Sequence, residues 1–289
     1  LIYDINTEDA MRINNDALRY AERGVQFSDD NERTFLRHFW SARTDRLQIL
    51  LEMRNLQEAL DDVQPWRAEL DEAMFERLGG GEEMAAYLAV QEAQILIELD
   101  RPQDAITPLT YARSYRSQQL EATPDSYYQM TQLMVVLMEL SRSYNRSEDY
   151  DEAVRASAEA VTLARTIMAF DEEDAGGPEG LNATLQNYAS YLLKSGEPAQ
   201  ALEVANEAVS LAQGLVRQFP DDVYYERILM MSLVTQTEVG GVSSALSCER
   251  FLTIRMMYDD LVSGDVSSEK LGADTLERIN ALEASLECN

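Results

Sequence analysis

The sequence predicts an all-α solenoid of stacked helical hairpins, and three observations predict it. A short pattern ending in alanine recurs as LQILLEMRNLQEAL (47–60), AQILIELDRPQDAI (93–106), SRSYNRSEDYDEAV (141–154), ASYLLKSGEPAQAL (189–202) and LVTQTEVGGVSSAL (233–246). Its alanines, Ala59, Ala105, Ala153, Ala201 and Ala245, stand 46, 48, 48 and 44 residues apart, and a near-constant period of this length marks a repeat architecture. Apolar residues recur at three and four residue spacing, as in Leu133, Val136, Leu137, Leu140 and Tyr144, which is the period of one helical face. Helix punctuation falls where the period demands it. Thr7, Ser28, Thr123 and Asp221 can cap helices, and Pro102, Pro124, Pro178 and Pro198 suit a first turn, where the missing N–H is not needed.

The elements follow in order. A leading helix is expected over 7–27. Five hairpins come next: 29–53 with 56–78, 82–99 with 102–121, 124–146 with 149–170, 179–194 with 198–218, and 222–239 with 242–262. A last helix over 269–287 closes the array. Pro65 and Pro108 fall inside second helices and should kink or split them, whereas Pro220 stops one. The segment 78–81 and the loop DEEDAGGPEG (171–180) read as connections, being rich in glycine or acid. The expected organisation is an N-terminal capping helix (1–28), five hairpins (29–262) and a C-terminal capping helix (263–289) in one continuous array.

Composition narrows the function classes. The chain has 289 residues, 45% of them hydrophobic, enough for a large core. It carries 52 acidic against 24 basic residues, a formal charge of -28, which disfavours nucleic acid and anionic membranes as partners. Lys194 and Lys270 are its two lysines. No apolar run reaches the ~18 residues of a membrane span, so no direct insertion is expected. The opening LIYDINTEDAM has neither an initiator Met nor a signal-peptide pattern and reads as the start of a trimmed or mature fragment.

The hairpins resemble tetratricopeptide repeats, of an extended-period bacterial type. The fourth copy carries the resemblance best, with Leu185, Tyr188, Ala189 and Leu192 on its first helix, Gly196 at the turn, and Ala201, Ala205 and Ala208 on its second. The third offers Leu137, Leu140, Ser141, Tyr144, Ala153, Ser157 and Ala160. Glu92 stands where the family usually places Leu, and Trp66 where it places a small residue. The family's unit is shorter than the spacing here, so second helices must be longer. The resemblance implies a right-handed solenoid and a non-enzymatic interaction or sensory module for a peptide or protein. Similar long-period arrays are found in bacterial signalling proteins. It also implies that the first helix of each hairpin lines a concave groove. Counting back from the shared Ala places Tyr87, Gln91 and Gln94 there, then Met138, Arg142, Asn145 and Arg146, then Gln186, Asn187, Ser190 and Lys194, and finally Arg227 and Met230. Asn, Gln and Arg can hold a peptide backbone or carboxylate by directed hydrogen bonds.

Other chemistry is sparse. His38 is the single histidine, among aromatics, and reads as a surface or packed residue instead of a catalytic or metal-binding one. Phosphate-loop, dinucleotide and CxxC motifs are missing, and no catalytic residue, metal or cofactor is assigned. Asp171, Glu172, Glu173 and Asp174 lack EF-hand spacing and read as a solvated loop. The sequons at Asn145 and Asn182 lie in predicted helices and carry no weight. Cys248 and Cys288 could face each other across the last hairpin; a disulfide there would favour a periplasmic location, and its lack a cytoplasmic one. Two alternative functions stand beside the interaction module. One is a helical-toroid glycosidase using paired carboxylates, weakened by a tryptophan count of two. The other is a self-association scaffold, a homodimer formed through Met230, Met231, Met256 and Met257.

Overall fold

The computed structural model describes residues 7–27, 32–170, 176–220, 222–241, 245–263 and 275–286, and every regular element among them is an α-helix. These are α1 (Thr7–Phe27), α2 (Glu32–Glu52), α3 (Leu56–Glu69), α4 (Glu72–Leu78), α5 (Gly81–Glu98), α6 (Pro102–Ala122), α7 (Tyr127–Arg146), α8 (Tyr150–Met168), α9 (Gly176–Lys194), α10 (Pro198–Gln218), α11 (Val223–Gly240), α12 (Ala245–Ser263) and α13 (Thr275–Ser285). No described helix is long and apolar enough to cross a membrane.

The chain divides into two compact units, Leu1–Ala122 and Thr123–Asn289. In the first, α1 packs on α2, α2 on α3 and α4, both of these on α5, and α5 on α6. In the second, each helix from α7 to α12 packs on the next, α9 also touches α7 and α11, and α13 lies against α11 and α12.

The period is written in the buried faces. On α8 the inward residues are Ala153, Ala156, Ser157, Ala160, Val161, Ala164 and Ile167; on α10 they are Ala201, Val204, Ala205, Ala208, Val209, Ala212 and Leu215, the same positions 48 residues on. Such small residues on one stripe let neighbouring helices approach closely. On α6 the stripe repeats as Ala105, Pro108, Leu109, Ala112 and Arg116. Ala59, Ala105, Ala153 and Ala201 are all fully buried. The fifth alanine, Ala245, falls outside the described side chains.

The turn inside each hairpin repeats as closely. Arg54, Asp100, Glu148 and Gly196 adopt φ of 57°, 58°, 61° and 89°, each five residues before its shared alanine. The amide one residue later bonds back across the turn: Asn55 N–H to the Leu50 carbonyl at 2.9 Å, Arg101 to Leu96 at 2.8 Å, Asp149 to Tyr144 at 2.9 Å and Glu197 to Leu192 at 2.8 Å. This satisfies one of the carbonyls that a helix end otherwise leaves open.

Some expectations are corrected. The helix expected over 56–78 is two helices. Pro65 lies inside α3 without splitting it, and the break comes at Leu70 and Asp71, where the Asp71 carboxylate accepts from the Met74 N–H at 2.9 Å and starts α4. Trp66 occupies the stripe position that Ala112, Ala160 and Ala208 hold in later copies, and α3 ends three residues beyond it. Pro108 is tolerated within an unbroken α6. The cap of α7 is Ser126, not Thr123, and Pro124 sits in the preceding turn, not in the helix. Ser28, Asp221, the acidic segment 171–174 and Cys288 lie outside the described residues. Cys248 is half-buried near the start of α12, and no described cysteine is a free thiol.

Candidate interaction surface

The expected groove residues fall on the first helices of both units. In the first unit Tyr87, Gln91 and Gln94 form a half-buried row on α5. Gln48 of α2 donates to the Tyr87 hydroxyl at 3.0 Å and to Gln91 Oε1 at 3.4 Å, and Gln91 donates to Gln94 at 3.2 Å.

In the second unit α7, α9 and α11 bring five of the expected residues to one cleft of about 470 Å³. Asn145, Gln186, Asn187, Ser190 and Lys194 line it, joined by Tyr191, Thr235, Glu238 and Arg278. Lys194 Nζ donates to Asn145 Oδ1 at 2.9 Å and lies 5.9 Å from the Tyr150 ring, which fixes the ammonium at the rim between α7 and α9. Arg278 of α13 grips Glu238 through two contacts of 3.0 and 2.6 Å and donates to Thr235 Oγ1 at 3.1 Å. Burial pushes the Tyr191 hydroxyl up to about 12, so it remains a neutral donor in the wall.

A second cleft of about 360 Å³ adjoins the first, since Gln186 and Asn187 line both. Arg227 belongs here, its guanidinium 5.1 Å from the Tyr224 ring. Glu179 accepts from the Tyr225 hydroxyl at 2.8 Å and from Tyr224 at 3.2 Å. Burial, with the hydrogen bond to Glu179, pushes Tyr225 up to about 12.

Beneath this face runs a buried polar layer. Asn182 is 1% exposed; its Nδ2 donates to the Ala208 carbonyl at 2.7 Å and to Ser232 Oγ at 3.1 Å, and its Oδ1 accepts from Gln186 at 2.5 Å. The layer fixes Gln186, which sits at the junction of the two clefts.

Arg142 and Arg146 line neither cleft. Arg142 lies 3.8 Å from Glu139 on its own helix, and Arg146 is exposed. Met230 is fully buried, contrary to its expected place on the groove wall, and belongs to a core with Val234, Phe251, Ile254 and Ile279. Met231 and Met257 pack against that core, so of the methionine run only Met256 is strongly exposed. His38 is exposed.

Thr235, Glu238 and Arg278 were not among the expected residues. The first two had a signal: counted from the shared alanine, Glu238 holds the place of Arg146 and Lys194, and Thr235 emerges on counting from the turn residue Gly241 (φ 74°), which precedes Ala245 by four residues instead of five. Counted from the turn, Thr235 matches Arg142 and Ser190, and Glu238 matches Asn145. Arg278 arrives from a distant helix and has no local signal.

No protein-family model matches the sequence, and no curated protein does. Solved structures match it in fold. The nearly identical TPR-like repeats of a kinesin-light-chain-type protein from Podosopora anserina align with a TM-score of 0.55 at 13% identity, over 77% of this chain and 96% of that one. BtubC from P. vanneervenii aligns with a TM-score of 0.55 at 10% identity, over 99% of this chain and 95% of its own. The chain therefore folds as an all-α helical repeat of the tetratricopeptide type.

Proposed function

We propose that this chain is a non-enzymatic interaction module whose second unit binds an extended peptide segment of a partner protein along the face of α7, α9 and α11. The observation that carries the reading is the pair of adjoining clefts sharing Gln186 and Asn187. Their lining is chiefly amides, hydroxyls and charges already paired or held, which suits hydrogen bonding to a peptide main chain better than a buried apolar ligand. Asn187 makes no side-chain hydrogen bond among the described residues, leaving its donor and acceptor for a ligand. Lys194, held only by a neutral amide and an aromatic ring, supplies a positive charge for an acidic side chain of that segment.

The test is a display selection of peptides against the full chain, followed by affinity measurement on the recovered sequences. Asn187→Leu and Lys194→Glu should each weaken binding about tenfold or more, as the loss of a directed or charge-assisted hydrogen bond does. Glu203→Ala, on the exposed face of α10, should leave it unchanged. Peptides whose affinity ignores both groove substitutions would sink the reading.

A further inference from the structure

The first unit contains a different cleft, of about 370 Å³, between α2 and the glycine turn that leads from α4 into α5. Gly79 and Gly80, at φ 68° and 126°, reverse the chain, and both amides bond back to the Phe75 carbonyl, at 2.8 and 3.2 Å. Those two amides close α4. The 18-residue α5 therefore begins at Gly81 behind a cap residue, Gly80, that has no side chain to accept from its first amides. Such an end presents unsatisfied N–H groups and a partial positive charge.

The opposite wall adds one charged donor. Arg37 is exposed and makes no ion pair among the described residues, whereas the Thr44 hydroxyl proton is already committed to the Ser41 carbonyl at 2.8 Å. Trp40, which lines the cleft, is 1% exposed, yet its indole N–H has no acceptor. An indole nitrogen can only donate, and a buried donor left unmet costs about 1–3 kcal/mol. What is missing is an acceptor. No carboxylate lines the cleft, and Glu83 of the same first turn is drawn to Arg116 at 2.7 Å and Tyr115 at 3.1 Å.

The geometry points to a binding site for a small oxyanion, a phosphate or carboxylate group carried on a small molecule, held between Trp40, Arg37 and the first turn of α5. The acceptor-rich group answers the indole donor, the uncapped amides and the guanidinium together. The volume leaves room for the molecule that bears it.

Trp40 and Trp66 are the two tryptophans, so the 15N-labelled full chain gives two indole N–H resonances, assigned by comparison with Trp66→Phe. Titration with inorganic phosphate, and separately with acetate, is expected to move the Trp40 resonance saturably while that of Trp66 stays in place. Arg37→Glu, a surface change, should weaken the response about tenfold, the loss of one charge-assisted contact. Saturation by phosphate alone or by acetate alone identifies the group. An unmoved Trp40 resonance in both titrations, or the same shift with chloride at matched ionic strength, overturns the site.

Discussion

Arg67 Nε lies 2.5 Å from Oε2 of Glu92, a carboxylate whose side chain is only 5% exposed, and Gln64 donates to its other oxygen at 3.0 Å. Glu92 stands at the α5 position where α7 buries Leu140. The carboxylate is tolerated because α3 supplies both partners. Removing one partner of a buried pair strands the other charge, which costs about 3–5 kcal/mol, and less when the survivor can rotate toward water. Arg67→Ala should therefore destabilise the first unit by roughly 3 kcal/mol. Glu92→Leu leaves the 30% exposed Arg67 and the exposed Gln64 without that partner, both within reach of water, and should change stability by less than about 1 kcal/mol. Urea denaturation of the two variants checks the asymmetry; equal losses would mean the pair is not what holds α3 to α5.

The hairpin turns give a prediction of opposite sign. Glu148 and Arg54 hold a left-handed conformation that costs a side-chain-bearing residue about 1–2 kcal/mol, against about 0.5–1 kcal/mol for glycine's extra freedom in the unfolded chain. Glu148→Gly and Arg54→Gly should each stabilise by roughly 0.5–1 kcal/mol. Asp100→Gly should gain less, because aspartate enters this region more readily. Gly196→Ala should cost about 1 kcal/mol. Thermal unfolding of the four variants reads the order directly.

The sequence displays what is local. The alanine spacing locates the hairpins because those alanines sit where two helices nearly touch, and the helix expected at 198–218 is α10 as observed. It is silent where the cause is tertiary. The break after α3 follows Trp66, placed on a stripe that other copies keep small, and Asp71, which caps α4; both are visible in the sequence, but that they end the helix depends on what packs against that stripe. Thr235 escapes a count from Ala245 because Gly241 precedes that alanine by four residues instead of five, and Arg278 reaches Glu238 from 40 residues away. Asn182 reads as an ordinary helical asparagine; its role depends on which carbonyl and hydroxyl α10 and α11 bring to it.

The buried tyrosines set an alkaline limit. The hydroxyls of Tyr191 and Tyr225 are pushed up to about 12 in the folded chain, above the ordinary value of 10.0. The folded state then keeps protons that the unfolded state releases, so stability falls as pH rises from about 10 to about 12 and levels off above that. Below pH 10 the contribution is complete. Absorbance titration of tyrosinate should show Tyr191 and Tyr225 ionising after the exposed tyrosines, and Tyr225→Phe should flatten the decline. An unchanged decline in that variant would remove Tyr225 as a cause.

The C-terminal cysteine pair remains an expectation that a chemical measurement decides. Cys248 is not a free thiol, and the chain holds two cysteines. If Cys248 and Cys288 are joined, the native unreduced protein shows no reactive thiol, even in denaturant, and reduction exposes two. The bond would close a loop of about 40 residues, whose constraint on the unfolded chain is worth about 4 kcal/mol in the entropic account. Reductant should then lower the unfolding temperature, and Cys248→Ser should reproduce that loss while becoming insensitive to reductant. Because α13 packs on α11 and α12 and delivers Arg278 to Glu238, the same reduction should loosen the cleft that Arg278 helps to line. Peptide affinity measured with and without reductant separates the two effects: a fall in stability with unchanged affinity would mean that α13 holds its place through the packing of Ile279 and Leu282 alone.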